Sequence, residues 1–416
     1  MIIKGTAYIR GNYENCYIGI EEGKIDFVKK SLKTTKKVKK LEGVILPAGT
    51  DLHVHFRDPG MTEKEDFYTG SVSAACGGIT TVMDMPNTDP LTDSYSRLKE
   101  KIKIGEKKSV IDFGLYGLLS DDIEKMSELT QFFKVYMAPS TGAESLEREE
   151  LADLLRRADS NDCSVAFHCE DRELFDKIPE QNLDGYNEHR PLKSELKAIE
   201  SLNDLPGKDK YICHMTSTES LKRVNRNGYT GEITPHHLLL SVEALLGPYG
   251  KVNPPLRKDT ERYRLWEAFE RGKIEIVSSD HAPHQEEEKE DFEEAPSGVP
   301  GVETLYPLLL NMVARGNVSM STVVESVALN PAERLGLKKG RVEEGHRADL
   351  MTIDFRESEP VESENLHHKC GWTPFEGFQA IFPRTVMSKG EIIVEDKEFV
   401  GKKGGGEYIL RGRKNI

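Results

Sequence analysis

The middle of the chain alternates short β-rich segments with longer helical ones, a rhythm that restricts it to a few parallel α/β architectures. Eight candidate strands follow in order: GTDLHVH (49–55), ITTVMDM (79–85), VIDFGLYG (110–117), FFKVYM (132–137), CSVAFH (163–168), KYICHM (210–215), GEITPHH (231–237) and IEIVSSDH (274–281). Helical stretches such as SELKAIESLND and ERYRLWEAFERG lie between them. No G-x-G-x-x-G follows a strand and no P-loop sequence is present, so the reading is a (β/α)8 TIM-like barrel and not an open doubly wound sheet. Such a barrel takes ~250 residues of the 416 in the chain. The remainder lies at the two ends, and both ends read as short strands. IIKGTAYI, CYIGIEEGKIDFV and VKKLEGVILP open the chain; DLMTIDF, AIFPRTVMSKGEIIVEDKEFV and EYILRGRK close it. The expectation is an α/β protein with a barrel over 48–344 and a small accessory β domain built from 1–47 and 345–416.

Charge and composition narrow the partners. Lys+Arg is 57 against Asp+Glu 71, a net charge of −14, and a surface this acidic repels phosphate backbones, which excludes a general nucleic-acid binder. The one basic run, Lys29 to Lys40, reads as a solvated loop, and the acidic stretch Glu286–Glu294 as a mobile one. Six cysteines are scattered without a C-x-x-C pair, the usage of reduced thiols in a cytoplasmic protein. The first residues lack the apolar core of a signal peptide, and the longest apolar stretch, Leu305–Val313, is far short of the ~20 residues a membrane span requires.

The polar residues of the strands are not scattered. His53 and His55 end the first strand, Lys134 lies in the fourth, His168 ends the fifth, and His214 and Asp280 fall near the ends of the sixth and eighth. Barrel active sites form at the C-terminal strand ends, and residues two apart in a strand point the same way, so all six side chains can converge at one mouth. Imidazole and carboxylate donors suit zinc, and also manganese, cobalt or iron. A hydrolytic metal lowers the pKa of its water towards ~7, and Asp280 could both ligate and take that proton, or merely cap a helix after SSDHAPH. Lys134 is out of place in an apolar run, because a buried ammonium is costly without a partner. It either faces solvent at the mouth or reacts with CO2 to form a carbamate, an anion able to bridge two ions.

The motifs DLHVHFRDPG, MDMPNT, FFKVYM, AFHCED, ICHMTS, ITPHHLLL, VNPPLR, SSDHAPH and VPGVET resemble those of the cyclic amidohydrolases, and of the dihydroorotases in particular, over essentially the whole chain. HxH alone is shared by many amidohydrolases; the combination of HFRDPG, MPNT, NPPLR and SDHAPH is specific. The resemblance implies two zinc ions, with manganese or cobalt as substitutes. His53, His55 and Asp280 would hold one and His168 and His214 the other, bridged by carboxylated Lys134. It implies that His55, Arg57, Asn87, Asn253 and His284 bind the substrate, dihydroorotate or carbamoyl aspartate, and that Asp280 is the catalytic acid and base. Cys213 and Glu232 match an additional metal position found in animal enzymes. The assemblies it suggests are a homo-oligomer or an association with aspartate carbamoyltransferase.

The chemistry of the residues agrees with that resemblance. The guanidinium fork of Arg57 suits two-point contact with a carboxylate, with a salt bridge to Asp58 or Glu63 as the lesser alternative. Asn87 could be a turn former and His284 a loop residue. Dihydropyrimidinases and allantoinases open similar rings with the same metal ligands and need no carboxylate clamp. A catalytically dead scaffold of the same fold would lack several ligands, and a metal-storage protein would carry them in a Cys/His-rich tract.

Overall fold

The computed structural model describes residues 1–138 and 146–410. Two main sheet systems make up the described residues, beside a small antiparallel pair of Glu359–Pro360 with Gln379–Ala380. The first is an eight-stranded sheet in the order Glu398–Phe399, Glu391–Glu395, Thr385–Ser388, Leu350–Ile353, Val38–Pro47, Ile2–Ile9, Asn12–Glu21, Lys24–Lys29. The two ends of the chain meet at its centre, where Leu350–Ile353 runs antiparallel to Val38–Pro47 with Leu350 opposite Pro47 and Ile353 opposite Val44. Inward residues of this sheet, among them Ile3, Ala7, Ile18, Ile45 and Leu350, form their own apolar core.

The second system is the barrel. Gly49–Val54, Ile79–Asp84 and Asp112–Leu115 pair in parallel. Gly117–Leu118, Phe132–Tyr136, Ser164–His168, Lys210–Ile212, Thr230–Ile233 and Ile276–Val277 continue it, again all parallel. Asp112–Leu115 and Gly117–Leu118 are one strand broken at Tyr116, whose first part pairs with the second strand and whose last part pairs with the fourth. A parallel bridge between Val54 and His281 closes the ring. These strands are buried on both faces, which is why they read as apolar runs without polar alternation. Phe133 and Val135 point out to the helices, so Phe132, Lys134 and Tyr136 point into the barrel by strand alternation. Phe132 packs there with Tyr211 and Cys213.

The outer helices follow the 3.6-residue period. Arg148–Ser160 buries Leu151, Leu154, Leu155 and Ala158, and the two helical stretches named from sequence fold as Leu192–Ser201 and Asp259–Glu270. Buried Lys339 fastens the barrel to the terminal sheet. Its ammonium lies 3.1 Å from Asp349 and donates to Thr80 and Thr81.

Four local expectations are corrected. GEITPHH is not a strand to its end: the strand stops at Ile233, and Thr234 caps a short helix, Pro235–Leu239, with proline in its first turn. The described part of the tail, residues 407–410, does not join the terminal sheet. Tyr408 bridges in parallel to Phe113 of the third barrel strand, and residues 411–414 lie outside the described residues. The basic run is only partly a loop, since Lys29 ends one strand and Val38 begins another. The acidic stretch is folded down: Gln285 and Glu288 form a capping box and Lys289 is buried, donating to the Pro296 carbonyl.

Candidate active site

Nine of the ten residues singled out from sequence line one cavity at the C-terminal end of the barrel: His53, His55, Arg57, Asn87, Lys134, His168, His214, Asn253 and Asp280. His284 is the exception. It sits behind Arg57, with Nε2 3.1 Å from Arg57 Nη2, so it supports the guanidinium and does not face the cavity. Three of the lining residues hold left-handed backbone, Arg57 at φ 60°, His214 at 36° and Asp280 at 48°. Such conformations cost ~1–3 kcal/mol each and persist where the surroundings enforce them; here they aim side chains inward from strand ends.

Three of the four histidines are oriented by a partner on the far nitrogen, while the His214 Nδ1 has none among the described residues. His53 Nδ1 lies 2.5 Å from Glu232 Oε1, and Glu232 also accepts from the Tyr211 hydroxyl at 2.6 Å. His55 Nδ1 lies 2.6 Å from Asn87 Oδ1. His168 Nε2 lies 2.7 Å from Glu170, itself held by the Arg190 guanidinium. The free nitrogens then converge in two groups. His53 Nε2 and His55 Nε2 come to 3.3 and 3.1 Å from Asp280 Oδ1, and His168 Nδ1 comes to 3.1 Å from His214 Nε2. Two nitrogens bound at ~2.0–2.1 Å to one tetrahedral ion would stand roughly 3.3 Å apart, so the donor set fits metal ligation without rearrangement. The carboxylate and amide partners on the far nitrogens are the outer-sphere groups that metal-bound histidines usually have.

The protonation states of three of the four histidines agree. Burial holds His55 down to about 3 and pushes His168 and His214 below the ordinary imidazole value, leaving them neutral as ligands must be. Burial also pulls on His53, but the Asp280 and Glu232 carboxylates outweigh it and raise the imidazole to about 10. That pair of carboxylates favours positive charge between them. Burial would raise Asp280, yet the surrounding histidines hold it well below the usual carboxylate range.

Lys134 is fully buried, with Nζ 2.9 Å from Cys213 Sγ and 5.2 Å from the centre of the Tyr136 ring. Among the described residues no carboxylate pairs with it. Arg57 is 2% exposed, and Asp58 is taken by Lys108 at 2.7 Å. The Arg57 Nη1 group has no hydrogen-bond partner. Asn253 accepts from the Tyr186 hydroxyl, which also contacts Ser297 Oγ at 2.9 Å. Donor atoms of His53, Cys213 and Glu232 also cluster within 4.8 Å, although Glu232 and Cys213 already serve His53, Tyr211 and Lys134.

Sequence reasoning missed Tyr136, Glu170, Arg190, Tyr186 and Ser297. Tyr136 lines the cavity with a buried hydroxyl that has no partner, and its place two residues after Lys134 was a readable signal. Glu170 stands two residues after His168, whereas Arg190, at the end of the helix Leu183–His189, and Ser297, from a loop, arrive with no motif.

Residues 44–393 match the amidohydrolase family. The dihydroorotase of Methanosarcina acetivorans is 39% identical, covering 98% of this chain and 94% of its own length. The dihydroorotase of Thermoplasma acidophilum is 38% identical, over 97% and 96%. The chain belongs to the amidohydrolase family, among the dihydroorotases. In three dimensions this amidohydrolase also superposes on the L-hydantoinase (dihydropyrimidinase) of Arthrobacter aurescens, with a TM-score of 0.93, 25% identity and 99% of each chain covered. The fold by itself thus does not separate a dihydroorotase from a hydantoinase. No helix among the described residues of this amidohydrolase is long and apolar enough to cross a membrane.

Proposed function

We propose that this amidohydrolase interconverts (S)-dihydroorotate and N-carbamoyl-L-aspartate in pyrimidine biosynthesis. The observation that carries the choice is the buried, unpartnered Nη1 of Arg57 at the wall of the histidine-lined cavity. A buried donor left unsatisfied costs ~1–3 kcal/mol, more when charged, and a substrate carboxylate satisfies it with a charge-assisted bond that a neutral ring cannot supply.

His53, His55 and Asp280 would hold one divalent ion and His168 and His214 a second, zinc or in its place manganese or cobalt, and Lys134 would be the residue to carry a carbamate. When bound, the ions polarise the ring carbonyl and lower the pKa of water. The protein does the rest. Arg57 takes the carboxylate, backed by His284, while Asn87 and Asn253 border the ring. Asp280 accepts a proton as water oxygen bonds to the ring carbonyl carbon, and returns it to the nitrogen as the C–N bond breaks. Glu232, Asn87 and Glu170 keep the imidazoles in their tautomers.

Dihydroorotate, hydantoin, dihydrouracil and allantoin offered side by side to the purified protein test the reading. Dihydroorotate should be turned over far faster than the others, and equal or better turnover of hydantoin would overturn it. Arg57→Ala should keep its metal content and bind dihydroorotate roughly 10- to 150-fold less tightly, the worth of ~1.5–3 kcal/mol for hydrogen bonds to a charged group. Arg57→Lys should recover part of this, because an ammonium keeps the charge and loses the fork. A homo-oligomer, or a complex with aspartate carbamoyltransferase, belongs to the same proposal. Light scattering of the chain alone and mixed with that enzyme distinguishes them.

A further inference from the structure

Away from the catalytic cavity, three side chains from distant parts of the chain meet on the flank of the barrel. Cys76 ends the helix Phe67–Cys76, Glu303 lies just before the helix Leu305–Ala314, and His367 follows the turn Ser363–Asn365. The imidazole stands between the other two, with Nδ1 2.7 Å from Glu303 Oε1 and Nε2 3.6 Å from Cys76 Sγ. Glu303 is fixed further by the Ser73 hydroxyl and the His367 backbone N–H, each at 2.8 Å. One donor atom from each of the three lies within 4.8 Å of the others. Cys76 and Glu303 are buried, while the His367 side chain is 30% exposed and gives the cluster a route to solvent. Exposed Glu398, on the strand Glu398–Phe399 packed against the Cys76 helix, adds negative charge felt by both the thiol and the imidazole.

We propose that Cys76 and His367, with the carboxylates Glu303 and Glu398, form a binding site for a thiophilic divalent cation of the zinc class, separate from the catalytic centre. Thiolate and imidazole together are donors zinc selects, and the nearby Glu398 carboxylate adds the negative charge a dication favours. The 3.6 Å between Sγ and Nε2 matches the roughly 3.6 Å that sulfur at ~2.3 Å and nitrogen at ~2.0–2.1 Å keep on one tetrahedral ion. Glu303 on Nδ1 fixes the tautomer that leaves Nε2 free, the carboxylate–histidine–metal arrangement. On binding, the Cys76 S–H bond breaks, its proton leaves to solvent past His367, and the sulfur lone pair forms the bond to the ion. The ion would pin the first barrel helix to the segment ending in Trp372, whose indole N–H donates to the His284 carbonyl at 2.8 Å. It would therefore stiffen the wall that backs Arg57.

The test is titration of the full-length, metal-depleted protein with Co2+ alone, read by bound equivalents and by absorption. The wild type should show a near-ultraviolet thiolate-to-cobalt charge-transfer band. Cys76→Ser should lose that band and one cobalt equivalent per chain, and His367→Gln should weaken both while keeping a folded protein even if Cys76→Ser does not. Cys213→Ser should keep the band, which separates this site from the catalytic cavity. An unchanged band and stoichiometry in Cys76→Ser or His367→Gln, or a band lost only in Cys213→Ser, overturns the proposal. Neither readout depends on which ring the enzyme hydrolyses.

Discussion

Asp280→Asn is expected to lower kcat by about 10²- to 10⁴-fold, the usual worth of a positioned general acid–base group, while dihydroorotate still binds. The carboxylate lies within contact of both His53 Nε2 and His55 Nε2, at 3.3 and 3.1 Å. Its left-handed backbone, φ 48°, turns it from the end of the eighth strand towards them. Asparagine fits the same space and keeps one oxygen donor, but it cannot accept the proton that water must lose. Loss should therefore fall on kcat and not on KM, and the variant should lose the rise in kcat with pH that titration of the base produces. Steady-state rates across pH, together with calorimetric binding of dihydroorotate, check both parts. A near-normal kcat in Asp280→Asn would reassign the base.

The contrast between what was readable and what was not follows from locality. HVH put two imidazoles on one strand face because the side-chain period of a strand is 2. FFKVYM carried Lys134 on the inward row with Phe132 and Tyr136 for the same reason. Strand-end placement of His168, His214 and Asp280 was legible because apolar runs buried on both faces mark their own ends. The partners that orient these groups were not legible. Glu170 and Arg190 meet through a loop and a helix end, and Glu232 reaches His53 across 179 residues, so no period links them. GEITPHH was misread where Thr-Pro, a cap followed by a first-turn proline, was in fact a helix start. The cluster of Cys76, Glu303 and His367 left no motif at all, since three separate elements build it. His284 shows the finer limit: its sequence position near Asp280 placed it at the site, but only the packing against Arg57 and the Ser297 carbonyl shows that it faces the arginine and not the cavity.

Lys134→Ala should be the most damaging single change in the site. Outer-sphere partners of metal ligands cost about 10- to 100-fold when removed, and a group bridging both ions should cost more, with metal content falling alongside activity. The reasoning starts from charge. Lys134 is fully buried between Cys213 and Tyr136, and an ammonium there would be repelled by two cations with no anion to offset it. Reaction of the amine with CO2, with release of a proton, would reverse the sign and give a carbamate whose oxygens could serve both histidine groups. Alanine leaves a cavity where that anion belongs, so a short carboxylic acid supplied with metal should restore part of the activity, whereas metal alone should not. Lys134→Arg should not rescue, because a guanidinium keeps the positive charge and does not take up CO2. A crystal structure of the active, metal-replete enzyme with a bare amine at Lys134 would remove the bridge from the mechanism. Full activity of Lys134→Ala would do the same.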